Sequence, residues 1–141
     1  MLALEQVHVR IMKERYLVVV IDPDPSVCKA LTRLLGTAQM DVQTYASSDS
    51  YLLGIDGRKP ACIVFALTIQ GLADGQLFDQ LAAMDGGIPI VFTTTANGVD
   101  IARHTSGRIK EILHKPFGDG VLLDAIQRSI DRRKAMPDEH P

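Results

Sequence analysis

The 141 residues include 15 basic and 17 acidic side chains, giving a formal net charge of −2, and 46% of the chain is apolar. This balance is typical of one soluble globular domain and argues against nucleic acid as the main partner. No apolar run approaches the ~20 residues that span a bilayer, and Glu5 and His8 interrupt the N-terminal apolar stretch. We therefore expect no membrane anchor and no signal peptide, and a cytoplasmic location.

Short apolar runs rich in β-branched residues alternate along the chain with longer amphipathic segments. The runs predict strands and the longer segments predict helices. In chain order, they are a strand over 16–21, a helix over 25–35, a strand over 42–45, a helix over 47–55, a strand over 62–66, a helix carrying Leu77 to Met84, a strand over 88–93, a helix over 99–106, a strand over 111–114 and a helix over 119–133.

The first and last helices have the clearest end signals and apolar faces. Asp24 is the predicted N-cap of the first helix, Pro25 is its first residue and Gly36 ends it. Its predicted apolar face is Ala30, Leu31, Leu34 and Leu35. The weaker second helix is expected to end before Gly57 and Pro60. In the last helix, the residues expected to face inward are Val121, Leu122, Ala125, Ile126 and Ile130.

Five strand–helix units in a row predict an α/β fold with a parallel sheet, right-handed crossovers and helices on both faces. At this length we expect a flavodoxin-like (βα)5 three-layer sandwich with strand order 2-1-3-4-5. The predicted domain covers residues 16–134, between an N-terminal extension (1–15) and a C-terminal tail (135–141). Apolar residues at helical spacing in the extension leave three interpretations open: a helix on its own domain, a dimerisation or docking helix, or a natural start at Met12. Those residues are Leu4, Val7, Ile11 and Met12.

Function in such sheets gathers at the carboxyl ends of the strands. At these ends, Asp22 and Asp24 follow the first predicted strand. Ala66, Thr94 and Lys115 stand at the ends of the third, fourth and fifth predicted strands. Two carboxylates, a hydroxyl and an ammonium on separate strand ends form a specific constellation. The cysteines Cys28 and Cys62 lie in apolar surroundings, and we interpret them as buried thiols, with no disulfide or metal site.

Three segments carry a resemblance to the receiver domain of two-component response regulators, which extends from about residue 17 to residue 130. They are Val20 to Val27, Ile88 to Thr94, and Leu113-His114-Lys115-Pro116-Phe117. In that family the acidic cluster holds Mg²⁺, and an aspartate at the end of the third strand takes a phosphoryl group from a histidine kinase. A hydroxyl residue and a lysine contact the phosphoryl oxygens, and the Lys-Pro bond is usually cis.

Carried over by motif, Asp22 matches a cluster acid, Thr94 the hydroxyl residue and Lys115 the lysine. The phosphoacceptor position falls on Ala66, 44 positions after Asp22 and 28 before Thr94. An alanine methyl offers no nucleophilic oxygen. Pro23 replaces the second cluster acid, so we expect Mg²⁺ binding to be weak or lost. Ile112 stands where the family usually places a Phe or Tyr that rotates on activation.

We therefore interpret the chain as a degenerate, phosphorylation-independent receiver, not an enzyme. Its partner would be a histidine kinase, another signalling protein or a second copy, with no nucleic acid and no membrane. The predicted contact surface comprises Val99–Arg103, Ile112 and Leu122–Gln127. The chain ends shortly after the last predicted helix, so no output domain is expected and any output would pass through another protein.

Two alternatives to this interpretation are open. One is a conventional receiver in which Ala66 is an introduced substitution, or in which a neighbouring acid accepts the phosphoryl group. Thr68 and Asp74, in the loop after Ala66, are the candidate substitute acceptors. The other is a small-molecule binder that uses the vacated cleft above Ala66.

Within the pocket, Asp24 has a sufficient role as a helix cap. Asp22 is expected to pair with Lys115, since a buried unpaired charge is costly.

Overall fold

The structure, a computed structural model, describes residues 15–54, 58–67, 87–95 and 111–135. Within them, five strands form one parallel sheet with the order β2-β1-β3-β4-β5. The strands are β1 (Leu17–Ile21), β2 (Asp41–Tyr45), β3 (Cys62–Ala66), β4 (Ile90–Thr94) and β5 (Ile112–His114). This confirms the predicted flavodoxin-like sheet.

Three helices lie within the described residues: α1 (Pro25–Thr37), α2 (Ser48–Leu53) and α3 (Asp119–Ala135). Asp24 is the N-cap of α1, as predicted, and its side chain accepts a hydrogen bond of 2.9 Å from the Ser26 N–H. Ser47 caps α2 in the same way through the Ser50 N–H. These caps satisfy backbone donors that have no partner inside a helix.

The prediction that Gly36 ends α1 was wrong. The helix continues to Thr37, and the residue with a left-handed backbone is Gln39, at φ 63°. The N–H of Met40 then returns to the carbonyl of Leu35 at 3.1 Å and closes the turn into β2. Likewise, α2 ends at Leu53 with Gly54 as its C-cap, before the predicted end at residue 55.

The core divides into two clusters because side chains alternate across the sheet. Val18 and Val20 point to the face covered by α1 and α3, and Val19 and Ile21 to the face covered by α2. Leu35 and Ile126 are fully buried in the first cluster. The described helices therefore cover both faces of the sheet, as the three-layer prediction requires.

Two predicted inward positions face solvent instead. Val121 is 49% exposed, whereas Leu122, Ala125, Ile126 and Ile130 are buried as expected. Each residue turns a helix by about 100°, so a stripe through Leu122 and Ile126 carries Val121 outward. Ala30 is exposed on α1 for the same reason, since Leu31 and Leu35 define its buried stripe.

Several predicted elements lie outside the described residues. They are the N-terminal extension up to residue 14, the helix carrying Leu77 to Met84, the helix over 99–106 and the tail from residue 136. None of the described helices is long and apolar enough to cross a bilayer.

Candidate functional site

The strand register brings the four predicted positions to neighbouring strand ends. Asp22 follows β1, Ala66 ends β3, Thr94 ends β4 and Lys115 follows β5. Ala66 pairs with Thr93, the residue before Thr94, and the N–H of Lys115 donates to the Thr94 carbonyl at 2.8 Å. The parallel sheet therefore assembles the constellation that the sequence indicated.

Asp22 and Lys115 form the predicted ion pair. The Lys115 ammonium donates to Asp22 Oδ2 at 3.1 Å, and the side chains are 27% and 5% exposed, respectively. The other carboxylate oxygen, Oδ1, accepts the N–H of Asp24 at 2.9 Å in a local Asx turn. Both oxygens of Asp22 thus have partners within the chain, which lowers the cost of burying the charge.

The segments that flank this pair follow from local sequence. Pro23 is exposed between Asp22 and the helix-capping Asp24, and it brings no oxygen side chain to the pocket. At the other end, the Lys115-Pro116 peptide bond is cis, as the resemblance implied. Asp24 itself caps α1, which is the role that the sequence indicated for it.

Ala66 is half-buried at the end of β3, where the resemblance places the phosphoacceptor. Thr94 is buried at the end of β4. Ile112 is half-buried at the start of β5 and packs against the core cluster that contains Phe92. The candidate substitute acceptors Thr68 and Asp74 lie outside the described residues.

A groove of about 390 Å³ begins at Asp22 and runs between α1 and the end of β2. Cys28 lines it, and its thiol donates to the Asp22 carbonyl at 3.3 Å. Burial raises the pKa of the Cys28 thiol, and the negative charge of Asp22 raises it further. The sequence prediction of a fully buried thiol holds for Cys62 but not for Cys28, which is half-buried. Cys28 lies in the first turn of the helix that Asp24 caps, and this position was the signal that its thiol lies near Asp22.

The predicted contact surface on α3 needs correction. Leu122, Ala125 and Ile126 are buried in the core, so of that range the residues available to a partner include Asp124 and Gln127. The segment Val99–Arg103 lies outside the described residues.

Beside this face, Glu111 accepts hydrogen bonds from two arginines of α3 that the sequence interpretation missed. Arg128 donates at 3.2 Å and Arg132 at 2.9 Å. Partial burial raises the pKa of Glu111, but the two arginines outweigh it and leave this pKa below its ordinary value. The start of β5 and the end of α3 are therefore joined by a charged cluster.

Comparison with known proteins agrees with this architecture. Residues 18–127 match the family described as "Response regulator receiver domain". Nodulation protein W of Bradyrhizobium diazoefficiens is 28% identical over 82% of this chain and 52% of its own, and the transcriptional regulatory protein TdiR of Thauera aromatica is 27% identical over 86% and 54%. The response regulator StyR has a similar structure, with a TM-score of 0.67 and 33% identity over 84% of this chain and 63% of its own. The chain spans about half the length of these curated relatives.

Receiver domains bind Mg²⁺ in their phosphorylation site. Mg²⁺ demands octahedral oxygen ligation at about 2.1 Å. The described part of the pocket offers the carboxylates of Asp22 and Asp24, of which one is paired with Lys115 and the other caps α1. Across the described ranges, no group of three Asp, Glu, His or Cys side chains is placed to hold a metal ion.

The family itself sets the coarse function. Receiver domains are signalling modules of two-component systems, and they interact with histidine kinases and other signalling proteins. The family match covers most of the chain, and the sheet order agrees with it. The chain therefore belongs to the response regulator receiver domain family.

Proposed function

We propose that this chain is an atypical receiver that takes part in two-component signalling without being phosphorylated, and that acts by contacting another protein. The observation that carries the proposal is Ala66, which ends β3, where the resemblance puts the phosphoacceptor. An acyl phosphate forms when a carboxylate oxygen attacks phosphorus, and alanine has no such oxygen.

The surroundings of Ala66 support the same conclusion. Pro23 removes a metal-binding carboxylate, and Lys115 engages Asp22, one of the two remaining acids, at 3.1 Å. With a cation already beside Asp22, a second cation would have to displace the ammonium or share the carboxylate with it. The proposal therefore includes weak or absent Mg²⁺ binding.

The surface that contacts the partner would be held in one conformation. Receivers of this family usually switch through an aromatic residue at the position of Ile112, and the branched side chain of Ile112 packs against the Phe92 cluster instead. Contact with a partner would use the exposed parts of α3, including Val121, Asp124 and Gln127. The proposed partner is a histidine kinase, another signalling protein or a second copy, in the cytoplasm and without direct binding to nucleic acid or membrane.

Beryllofluoride with Mg²⁺, which mimics the phosphorylated state, tests the proposal on the full 141-residue chain. Amide ¹H–¹⁵N signals of Ala66, Thr94 and Lys115 should not move when it is added, because the mimic needs the missing carboxylate. A Mg²⁺-dependent shift of these signals would contradict the proposal.

Substitutions then distinguish a pocket that has lost only its acceptor carboxylate from a pocket that is altered at several positions. We expect Ala66→Asp alone to respond weakly and Ala66→Asp with Pro23→Asp to respond clearly, because the double variant restores two oxygen ligands. Ala66→Asn is the matched control, with similar size and no carboxylate. A full response of Ala66→Asp alone would instead favour a conventional receiver in which only the acceptor has been replaced.

A further inference from the structure

Strand β2 forms one edge of the sheet, and among the described residues no strand pairs with its outer side. The Asp41 N–H donates to the carbonyl just before β1, and the Tyr45 carbonyl accepts the N–H just after β1. Main-chain groups of successive residues in a strand point to alternate sides. Those of Val42 and Thr44 therefore point away from the sheet. Thr44 is also exposed in the groove beside α1, so α1 does not cover the edge at that point.

The sequence of β2 does little to protect this edge from pairing. Edge strands are commonly kept short, or they carry charged residues or proline. Strand β5, at the other edge, has three residues and is flanked by Glu111 and Lys115. Strand β2 has five residues. Its one charged side chain, Asp41, is already paired with Arg15 and Arg58. Of the two edges, β2 is therefore the one that suits an added strand.

An exposed apolar side chain lies on the helix beside this edge. Leu53 of α2 is 90% exposed, more than any other large apolar side chain in the described part of the chain. Helix α2 packs directly on β2, because the rings of Tyr51 and Tyr45 meet edge-on with their centroids 5.3 Å apart. A Cβ added at Gly54, the residue after Leu53, would come within 3.0 Å of the Tyr45 ring. A partner strand on β2 would thus bring apolar cover to Leu53, which is favourable in water.

We propose that two copies of this chain pair through β2 and form a dimer with one continuous sheet. The strands run antiparallel about a twofold axis at Gln43. In this register the outward main-chain groups of Val42 lie opposite those of Thr44 in the second copy, and the two residues exchange both of their hydrogen bonds. The same pair recurs on the other side of the axis, so the contact is closed. The two copies of α2 lie side by side on one face of the joined sheet.

The side chains around the axis suit this arrangement. Gln43 lies opposite its own copy in a non-hydrogen-bonded pair, where side chains come closest. Its Oε1 accepts from the Tyr45 hydroxyl at 3.3 Å, and its NH₂ group donates to the second copy. Arg15 and Arg58 outnumber the one carboxylate that they share at the start of β2, and the exposed acid Asp49 follows the end of β2. Antiparallel pairing places these opposite charges at the same end of the contact.

This inference does not rest on the proposed function. Strands β2 and β5 are the two opposite edges of the sheet, so pairing through β2 leaves the exposed part of α3 beside β5 accessible. It also needs no particular state of the pocket around Ala66. Failure of the dimer would leave the proposed function intact, and phosphorylation of the chain would leave the dimer intact.

Sedimentation velocity of the full chain over a series of concentrations tests the dimer. Gln43→Glu keeps the side-chain shape and sets two carboxylates opposite each other, so it should raise the dimer dissociation constant about tenfold at neutral pH. Leu53→Ser should raise it as well. Gln39→Glu makes the same change in the exposed turn before β2, outside the paired residues, and should leave the constant unaltered. A dimer that Gln127→Glu on α3 weakens and Gln43→Glu does not would overturn the proposal.

Amide hydrogen exchange identifies the edge that is paired. In the native dimer the N–H groups of Val42 and Thr44 should be protected, and in Gln43→Glu they should exchange rapidly. The Asp41 N–H bonds β1 at 2.8 Å and should stay protected in both, which shows that the variant is folded. The proposal fails if the native chain is monomeric at every concentration, or if a dimer forms while Val42 and Thr44 exchange rapidly.

Discussion

The ammonium of Lys115 lies 3.1 Å from Oδ2 of Asp22, a residue 93 positions earlier in the chain. In the sheet, β1 and β5 are separated by β3 and β4. The pair therefore bridges the two strand ends that carry Ala66 and Thr94. In the proposed interpretation, this ion pair crosses the place where a phosphorylated receiver would carry its phosphoryl group.

Removing the ammonium should destabilise the fold. Lys115→Met leaves the buried Asp22 oxygen without its cation, and an unsatisfied buried group of this kind costs about 1–3 kcal/mol. Urea unfolding of the variant checks the loss, with Lys29→Met on the exposed face of α1 as the control. In the double variant with Asp22→Asn, the two losses should be less than additive. Equal effects of the two lysine substitutions would contradict a stabilising role for the pair.

Acid should weaken a second ion-pair cluster, at the start of β2. Hydrogen bonds from Arg15 at 2.9 Å and Arg58 at 3.0 Å lower the pKa of Asp41 below its ordinary value of 3.8. A folded-state pKa below the unfolded one contributes stability above about pH 4 that is lost as the pH falls through both values. These pairs are half-exposed, so each contributes below about 1 kcal/mol.

Urea unfolding at pH 6 and at pH values down to about 3 measures this contribution. Asp41→Asn should be less stable than the native chain at pH 6, and the difference should shrink as the pH falls. The control is Asp131→Asn, whose carboxyl accepts from the neutral amide of Gln127. If the difference at Asp41 stays constant across this range, its carboxylate is not the stabilising group.

The inward stripe of α3 can be checked by truncating side chains on either side of it. Ile126 is fully buried, so Ile126→Ala should cost about 2–5 kcal/mol through lost burial and a cavity. Val121 is half-exposed, so Val121→Ala should change stability by less than about 0.5 kcal/mol. Comparable losses at the two positions would show that the helix is rotated from the orientation described above.

The two thiols should react differently with a thiol reagent. Burial raises the pKa of Cys62 to about 12, so very little of this thiol is present as the reactive thiolate at pH 8. Cys28 is half-buried beside Asp22, and it should react slowly while the chain is folded. Cys62 should react after unfolding in urea. Equal labelling of both cysteines in the folded chain would contradict the burial of β3.

The sheet could be predicted from sequence because continuous β-branched runs mark strands buried on both faces, and alternation with helices leaves few topologies. The Asp22–Lys115 pair followed from the resemblance and from the cost of an isolated buried charge. Other features depend on packing that local sequence does not encode. Val121 and Leu122 are equally apolar neighbours, so the pattern could not decide which one faces the core.

Charged contacts between separate elements were also missed. Glu111 meets Arg128 and Arg132 from 17 and 21 positions away, across the edge of the sheet. The end of α1 is a different case, because Gln39 adopts the left-handed conformation that glycine usually supplies. The sequence prediction placed the end of the helix at Gly36, three residues before the true turn.

Intact-mass spectrometry of the full chain after incubation with acetyl phosphate and Mg²⁺ tests the central claim most directly. The account predicts that the mass stays that of the unmodified chain, with Ala66 at the acceptor position and no acyl phosphate formed. A Mg²⁺-dependent gain of one phosphoryl group, removed by hydroxylamine as acyl phosphates are, would contradict it.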